Sequence, residues 1–123
     1  MYVARSKKNV DDSDGSLFIR FKSSVGTDKT IGYCSTGKWQ HPKPEVWGNT
    51  RNVSKYKPFC ILSDISEEKK SENFKMVENF LRKYDIKVLN VSGHRYNRTS
   101  DLKDNQVQIQ RFLTDCFKYI YKL

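Results

Sequence analysis

Two short stretches of this chain carry residue types suited to binding anions. In Leu89-Asn90-Val91-Ser92-Gly93-His94-Arg95, an apolar, β-branched run stops at a small residue, a glycine and an arginine. A strand that ends this way ahead of a helix leaves backbone N–H groups unpaired at the carboxyl end of a sheet, where α/β proteins hold phosphates. Arg95 adds a planar, permanently charged fork for the same kind of group. In Ser24-Val25-Gly26-Thr27, Gly26 lets the backbone approach a ligand closely, and Thr27 opens a helix with its hydroxyl beside unpaired N–H groups. Taken alone, Gly26-Thr27 reads equally well as a capped helix. Its pairing with Gly93 and Arg95 at one expected sheet edge makes it a candidate site.

Other residues offer weaker chemistry. Asp12 and Asp14 lie two apart and suit a cation or acid–base work, although Asp14-Gly15 also makes an ordinary turn. His41 and His94 have no metal-ligand spacing and no third ligand, so no metal site is expected. There is no nucleophile elbow, P-loop or complete GxGxxG. No dedicated general base is visible, which favours a binding protein with no catalytic residue and no cofactor beyond a nucleotide ligand. An enzyme acting on a glycosidic or phosphate bond, with Asp14 as acid or base, is a further alternative. Residues 38–57 form a basic insertion in which Lys38, Trp39, His41, Lys43, Trp47, Arg51, Lys55 and Lys57 interleave charge with aromatic rings. Such a pattern can stack bases and contact phosphate. It can equally use the two tryptophans to pin the loop onto the domain.

The elements that must position these residues alternate. A short polar helix is expected over 2–12, and a buried strand over Leu17 to Phe21 follows the Asp14-Gly15 turn. After the small-residue loop Ser23 to Thr27, a helix runs to about Thr36 with Thr30, Ile31 and Cys34 on one face. Gly37, Pro42, Pro44 and Gly48 break regular structure in the insertion. Phe59 to Leu62 is a second strand, and Ser66 caps a helix to about Lys83 whose Phe74, Val77, Leu81 and Tyr84 face the core. Ile86 to Val91 is the third strand. A long final helix over 102–121 carries Ile109, Phe112, Leu113, Cys116, Phe117 and Ile120 at three- and four-residue spacing. Continuous apolar strands alternating with helices imply an α/β fold with a mostly parallel sheet and helices on both faces. The strand ends at Ser24, Ser63 and Ser92 then share one edge.

Composition bounds the rest. The chain has 123 residues, 37% hydrophobic and 13% aromatic, enough for one domain with a modest core. A formal charge of +9 favours anionic partners such as nucleotides, nucleic acid or acidic proteins, and also fits a lysine-rich solvated surface. Cys34, Cys60 and Cys116 are far apart and odd in number, and the amino terminus has no apolar signal region. Free thiols, a cytoplasmic location and no membrane span are expected.

The motifs Asn9-Val10-Asp11-Asp12-Ser13-Asp14-Gly15-Ser16, Gly26-Thr27 and Leu89 to Arg95, in this order, resemble the circularly permuted YpsA-like family of the SLOG superfamily of Rossmann-like domains. Family patterns run roughly NV-x-DSD-G/A-T, then S…GGT, then LNVAGPR and a final helix. The likeness covers about residues 9 to 121, interrupted by the basic insertion. It implies a Rossmann-like, three-layer domain that binds nucleotides or nucleotide derivatives as a sensor or sequestering protein. It also implies that Asp14, Ser24, Gly26, Thr27, Asn90, Gly93 and Arg95 line the pocket. His94 stands where the family has proline, and Val25 where it has glycine. The family's amino-terminal strand and GGQTG-type phosphate loop have no counterpart here. The resemblance therefore implies either a homo-oligomer, in which a second protomer completes the pocket, or a lost pocket. In the second case the chain is a non-catalytic interaction protein whose basic loop binds nucleic acid or an acidic partner.

Overall fold

The computed structural model describes residues 2–48, 56–93 and 100–122. The sequence candidates Arg51, Lys55, His94 and Arg95 lie outside these residues. At the centre is β1 (Gly15–Ile19), all five of whose residues are buried. A strand apolar on both sides must be covered on both sides, which is the requirement of a parallel sheet between helices. β1 pairs in parallel with β2 (Phe59–Leu62) on one side and β3 (Leu89–Gly93) on the other, in the order β2-β1-β3. The register sets Ile19 opposite both Leu62 and Gly93, so the three carboxyl ends are level.

The two-residue period of the strands divides the core in two. Leu17, Ile19, Cys60 and Leu62 point to one face and pack with Phe74, Val77, Phe80 and Leu81 of α4 (Lys70–Lys83) and Phe112, Cys116 and Ile120 of α5 (Ser100–Tyr121). Phe18 and Phe59 point to the other face. They pack with Val10 of α1 (Tyr2–Asp11), Ile31 and Cys34 of α2 (Val25–Thr36), and Val46 of α3 (Glu45–Gly48). The step from β1 to β2 and the step from β2 back across β1 to β3 run in opposite directions. Crossovers of the usual right hand then demand helices on opposite faces, which is where α2 and α4 lie. The expected α/β, three-layer, Rossmann-like fold is therefore the fold observed, with a sheet that is wholly parallel.

Several boundaries differ from the sequence expectation. β1 stops at Ile19 rather than Phe21: the Arg20 N–H still donates to the Leu62 carbonyl at 2.9 Å, and the chain bends at Phe21 and Lys22. α2 starts at Val25, so Gly26 and Thr27 lie inside its first turn instead of in a preceding loop. β3 starts at Leu89 rather than Ile86. Ile86 belongs to the end of α4, where its N–H donates to the Leu81 carbonyl at 2.9 Å and Asp85 takes a left-handed φ of 49°. The Asp85 N–H donates to Arg82, which completes a Schellman motif with Ile86 packed beside Leu81. An apolar run cannot tell such a helix-ending contact from a strand residue. Within the irregular insertion, residues 45–48 form the single turn α3. Ser66 does precede a helical segment, but a 3-10 turn over Glu67–Lys69 leads into α4 and the Ser66 side chain makes no capping bond. No helix among the described residues is long and apolar enough to cross a membrane.

Candidate functional site

The carboxyl edge of the sheet is built around one residue that sequence reasoning missed. Arg20 follows directly on β1, and its guanidinium meets the Asp28 carboxylate as a fork, Nε to Oδ1 at 2.6 Å and Nη2 to Oδ2 at 3.2 Å. Asp28 lies in the first turn of α2 and is only 3% exposed. The Ser23 hydroxyl donates to its second oxygen at 3.0 Å. Burial pushes the Asp28 pKa up, but the Arg20 and Ser23 hydrogen bonds outweigh it and hold the carboxyl below its ordinary value. Asp28 is thus an anion beside the N–H-rich end of α2, a placement the helix dipole favours. Above the pair, the Arg20 guanidinium carbon sits 4.0 Å from the centre of the Trp47 ring. The signal in the sequence was a basic residue closing an apolar strand with an acid eight positions later. Its meaning depends on where the strand stops.

Around this cluster the structure brings together part of the expected pocket. Ser24 is the N-cap of α2 with extended backbone (φ -148°, ψ 123°) and no side-chain capping bond, and its carbonyl accepts from Asp28 N at 2.8 Å. Gly26 lies in the first turn, its carbonyl accepting the Thr30 hydroxyl at 2.7 Å. Thr27 is buried in the same turn. Gly93, the last residue of β3, is level with Ile19. β1 hands the chain to α2 on one face, while the helix that follows β3 lies on the other. The position between these two strand ends is the topological switch point, where open α/β sheets take their ligands.

Two expected pocket residues are elsewhere. Asp14 precedes β1, at the amino-terminal edge of the sheet. Its carboxylate accepts the backbone N–H groups of Val88 and Lys87, each at 2.9 Å, and these two bonds hold its pKa below the ordinary value. Its own N–H donates to the Val88 carbonyl at 2.8 Å. Asp14 therefore ties the start of β1 to the start of β3. Asn90 is the second residue of β3, three residues or about 10 Å short of the carboxyl end. Its amide donates to the Ser16 hydroxyl at 3.1 Å across the β1–β3 pair, beneath α2.

The basic insertion is fastened to the face that carries α1 and α2. A Cβ on Gly32 would lie 1.8 Å from the Gln40 carbonyl oxygen, so only glycine lets the loop backbone approach α2 so closely. At the far end of the loop the Tyr56 and Tyr33 hydroxyls both donate to Asp11, and Lys57 Nζ donates to the Ser13 carbonyl at 2.8 Å. Trp39 is half-buried, Lys38 and Lys43 are exposed, and Trp47 keeps 42% of its surface in solvent despite its contact with Arg20. Of the two tryptophans, Trp39 is the more buried and Trp47 the more exposed.

The three cysteines are free and buried, and burial pushes the thiols of Cys34 and Cys60 up to about 12 and that of Cys116 to about 11. None is a thiolate near neutral pH. Among the described residues no group of three or more His, Cys, Asp or Glu converges to hold a metal ion.

The chain matches the model of the circularly permutated YpsA SLOG family over residues 1–117. No curated protein and no solved structure matches it.

Proposed function

The chain belongs to the circularly permutated YpsA SLOG family, and from that premise we propose that it is a small nucleotide- or nucleotide-derivative-binding protein of the sensor or sequestering type. One observation carries the reading. The ends of β1 and β3 are level at Ile19 and Gly93, with the first turn of α2 beside them and the following helices on opposite faces. The ligand's phosphate lies against the backbone of Ser24 to Thr27 and against Gly93, where helix N–H groups and a strand end offer donors. Arg20 is committed to Asp28; the counter-charge for the phosphate is assigned to Arg95 on the family resemblance. No step of catalysis is assigned to any residue.

The test is a thermal-shift screen of mono- and dinucleotides, with Arg95→Ala as control. A ligand present at a hundredfold excess over its Kd stabilises the fold by about 2.7 kcal/mol. Wild-type protein should melt higher with at least one nucleotide, and Arg95→Ala should lose most of that gain. A panel in which no nucleotide raises the melting temperature removes the reading.

A second reading follows from the exposed Lys38 and Lys43 and the half-exposed Trp47 ring on one fastened loop. These residues would bind nucleic acid or an acidic protein. Affinity for single-stranded nucleic acid would then fall steeply with salt, and charge reversal at Lys38, Lys43, Arg51 and Lys55 would abolish it. Affinity that is flat with salt excludes this mode.

A further inference from the structure

We infer that the exposed ring of Trp47 is the stacking platform for the nucleobase of a mononucleotide. The inference rests on the nucleotide reading above and names the residue that recognises the base.

Three observations lead to it. The first is exposure: Trp47 has the Arg20 guanidinium 4.0 Å from its ring centre and still keeps 42% of its surface in solvent. A large aromatic ring that already carries one flat cation and keeps this much surface in solvent can take a second flat partner. The second is rigidity. Val46, its neighbour in α3, is buried in the core at 6% exposure, and Arg20 is locked by the two-point contact with Asp28, itself held by Ser23. Because the Arg20 charge is already matched by Asp28, the guanidinium serves as a shelf for the indole. A ring held in advance loses little freedom when a base stacks on it.

The third is position. Arg20 follows the last residue of β1, and Asp28 lies in the first turn of α2. Arg20 therefore links the Trp47 ring to Asp28 in the first turn of α2, which places the ring at the carboxyl edge of the sheet. Trp39, on the same loop, is the more buried of the two rings.

The chain has two tryptophans, so Trp39→Phe leaves Trp47 as the sole indole reporter. Trp39→Phe protein is titrated with AMP, GMP, adenosine and ribose 5-phosphate, following fluorescence. AMP, GMP and adenosine should quench it, and ribose 5-phosphate should not. By calorimetry, Trp47→Ala should weaken AMP or GMP by about tenfold or more while leaving ribose 5-phosphate affinity unchanged, since aromatic stacking commonly contributes that much per base. Trp47→Phe, which keeps a ring and guards against a folding defect, should retain most of the affinity. Undiminished AMP and GMP binding by Trp47→Ala overturns the inference and leaves the nucleotide reading standing. Wild-type protein that binds neither overturns the inference, and the nucleotide reading falls with it only if the whole nucleotide panel also fails.

Discussion

Arg20 and Asp28 are the residues whose loss should be felt most at the carboxyl edge. Removing the Arg20 guanidinium leaves a 3% exposed carboxylate without its counter-charge and frees the Trp47 ring. Breaking a buried pair costs about 3–5 kcal/mol, and Arg20→Ala should fall at the lower end because its side chain is 21% exposed. Chemical denaturation would read this, and Arg20→Ala combined with Asp28→Asn should recover part of the loss. Asp14 makes the opposite case. By resemblance it belongs in the pocket, yet its carboxylate is spent on the N–H groups of Lys87 and Val88 at the other edge. Asp14→Ala should therefore lower the melting temperature and leave nucleotide affinity as in the wild type, measured by calorimetry. A loss of affinity with unchanged stability would return Asp14 to the ligand site.

At the scale of elements, the helix ends and the insertion decide which boundaries hold. Asp85 occupies the left-handed position that closes α4, at φ 49°. Its strain is about 1–2 kcal/mol for an ordinary residue, and glycine's extra freedom in the unfolded chain returns about 0.4–1 kcal/mol of that. Asp85→Gly should stabilise the protein by up to about 1 kcal/mol in denaturant titrations. Gly32→Ala should do the reverse. Its methyl group would meet the Gln40 carbonyl at 1.8 Å, so the loop must move, at a cost of about 1–3 kcal/mol. The parallel α/β order was legible because the apolar runs at Leu17 and Phe59 are continuous, because Ile86, Val88, Leu89 and Val91 make a third apolar stretch, and because Phe74, Val77 and Leu81 recur at helical spacing. The start of β3 was not legible, since Ile86 is apolar for the sake of a helix end. The helix start at Gly26-Thr27 and the strand end at Gly93 were readable as neighbours on one edge. Trp47 stood out as an aromatic in the basic loop, but its meeting with Arg20 and Asp28 was not legible, because it depends on three elements converging in space.

At the scale of the whole molecule, four carboxylates among the described residues have pKa values held below the ordinary one. Asp11 is held there by the Tyr56 hydroxyl, Asp14 by the Val88 and Lys87 amides, Asp28 by Arg20 and Ser23 against the effect of burial, and Asp64 by the Ser66 backbone. A carboxyl whose folded pKa is depressed contributes stability above its unfolded pKa of about 3.9 and loses it as pH falls through the folded value. Stability should thus be level near neutrality and decline below about pH 4, as followed by circular dichroism melts. The two cores enclose all three thiols, so a thiol-reactive dye should label none of them in the folded protein and all three in denaturant. Both results concern the fold; the central claim concerns the edge where three strands end together. The most direct measurement is an amide chemical-shift map of the protein titrated with the nucleotide that stabilises it most. The account predicts shifts concentrated in residues 20–28 and 91–93, with the amides of Asp14, Lys87 and Val88 unmoved. Shifts confined to the amino-terminal edge or to Lys38 and Lys43, with residues 20–28 silent, would contradict it.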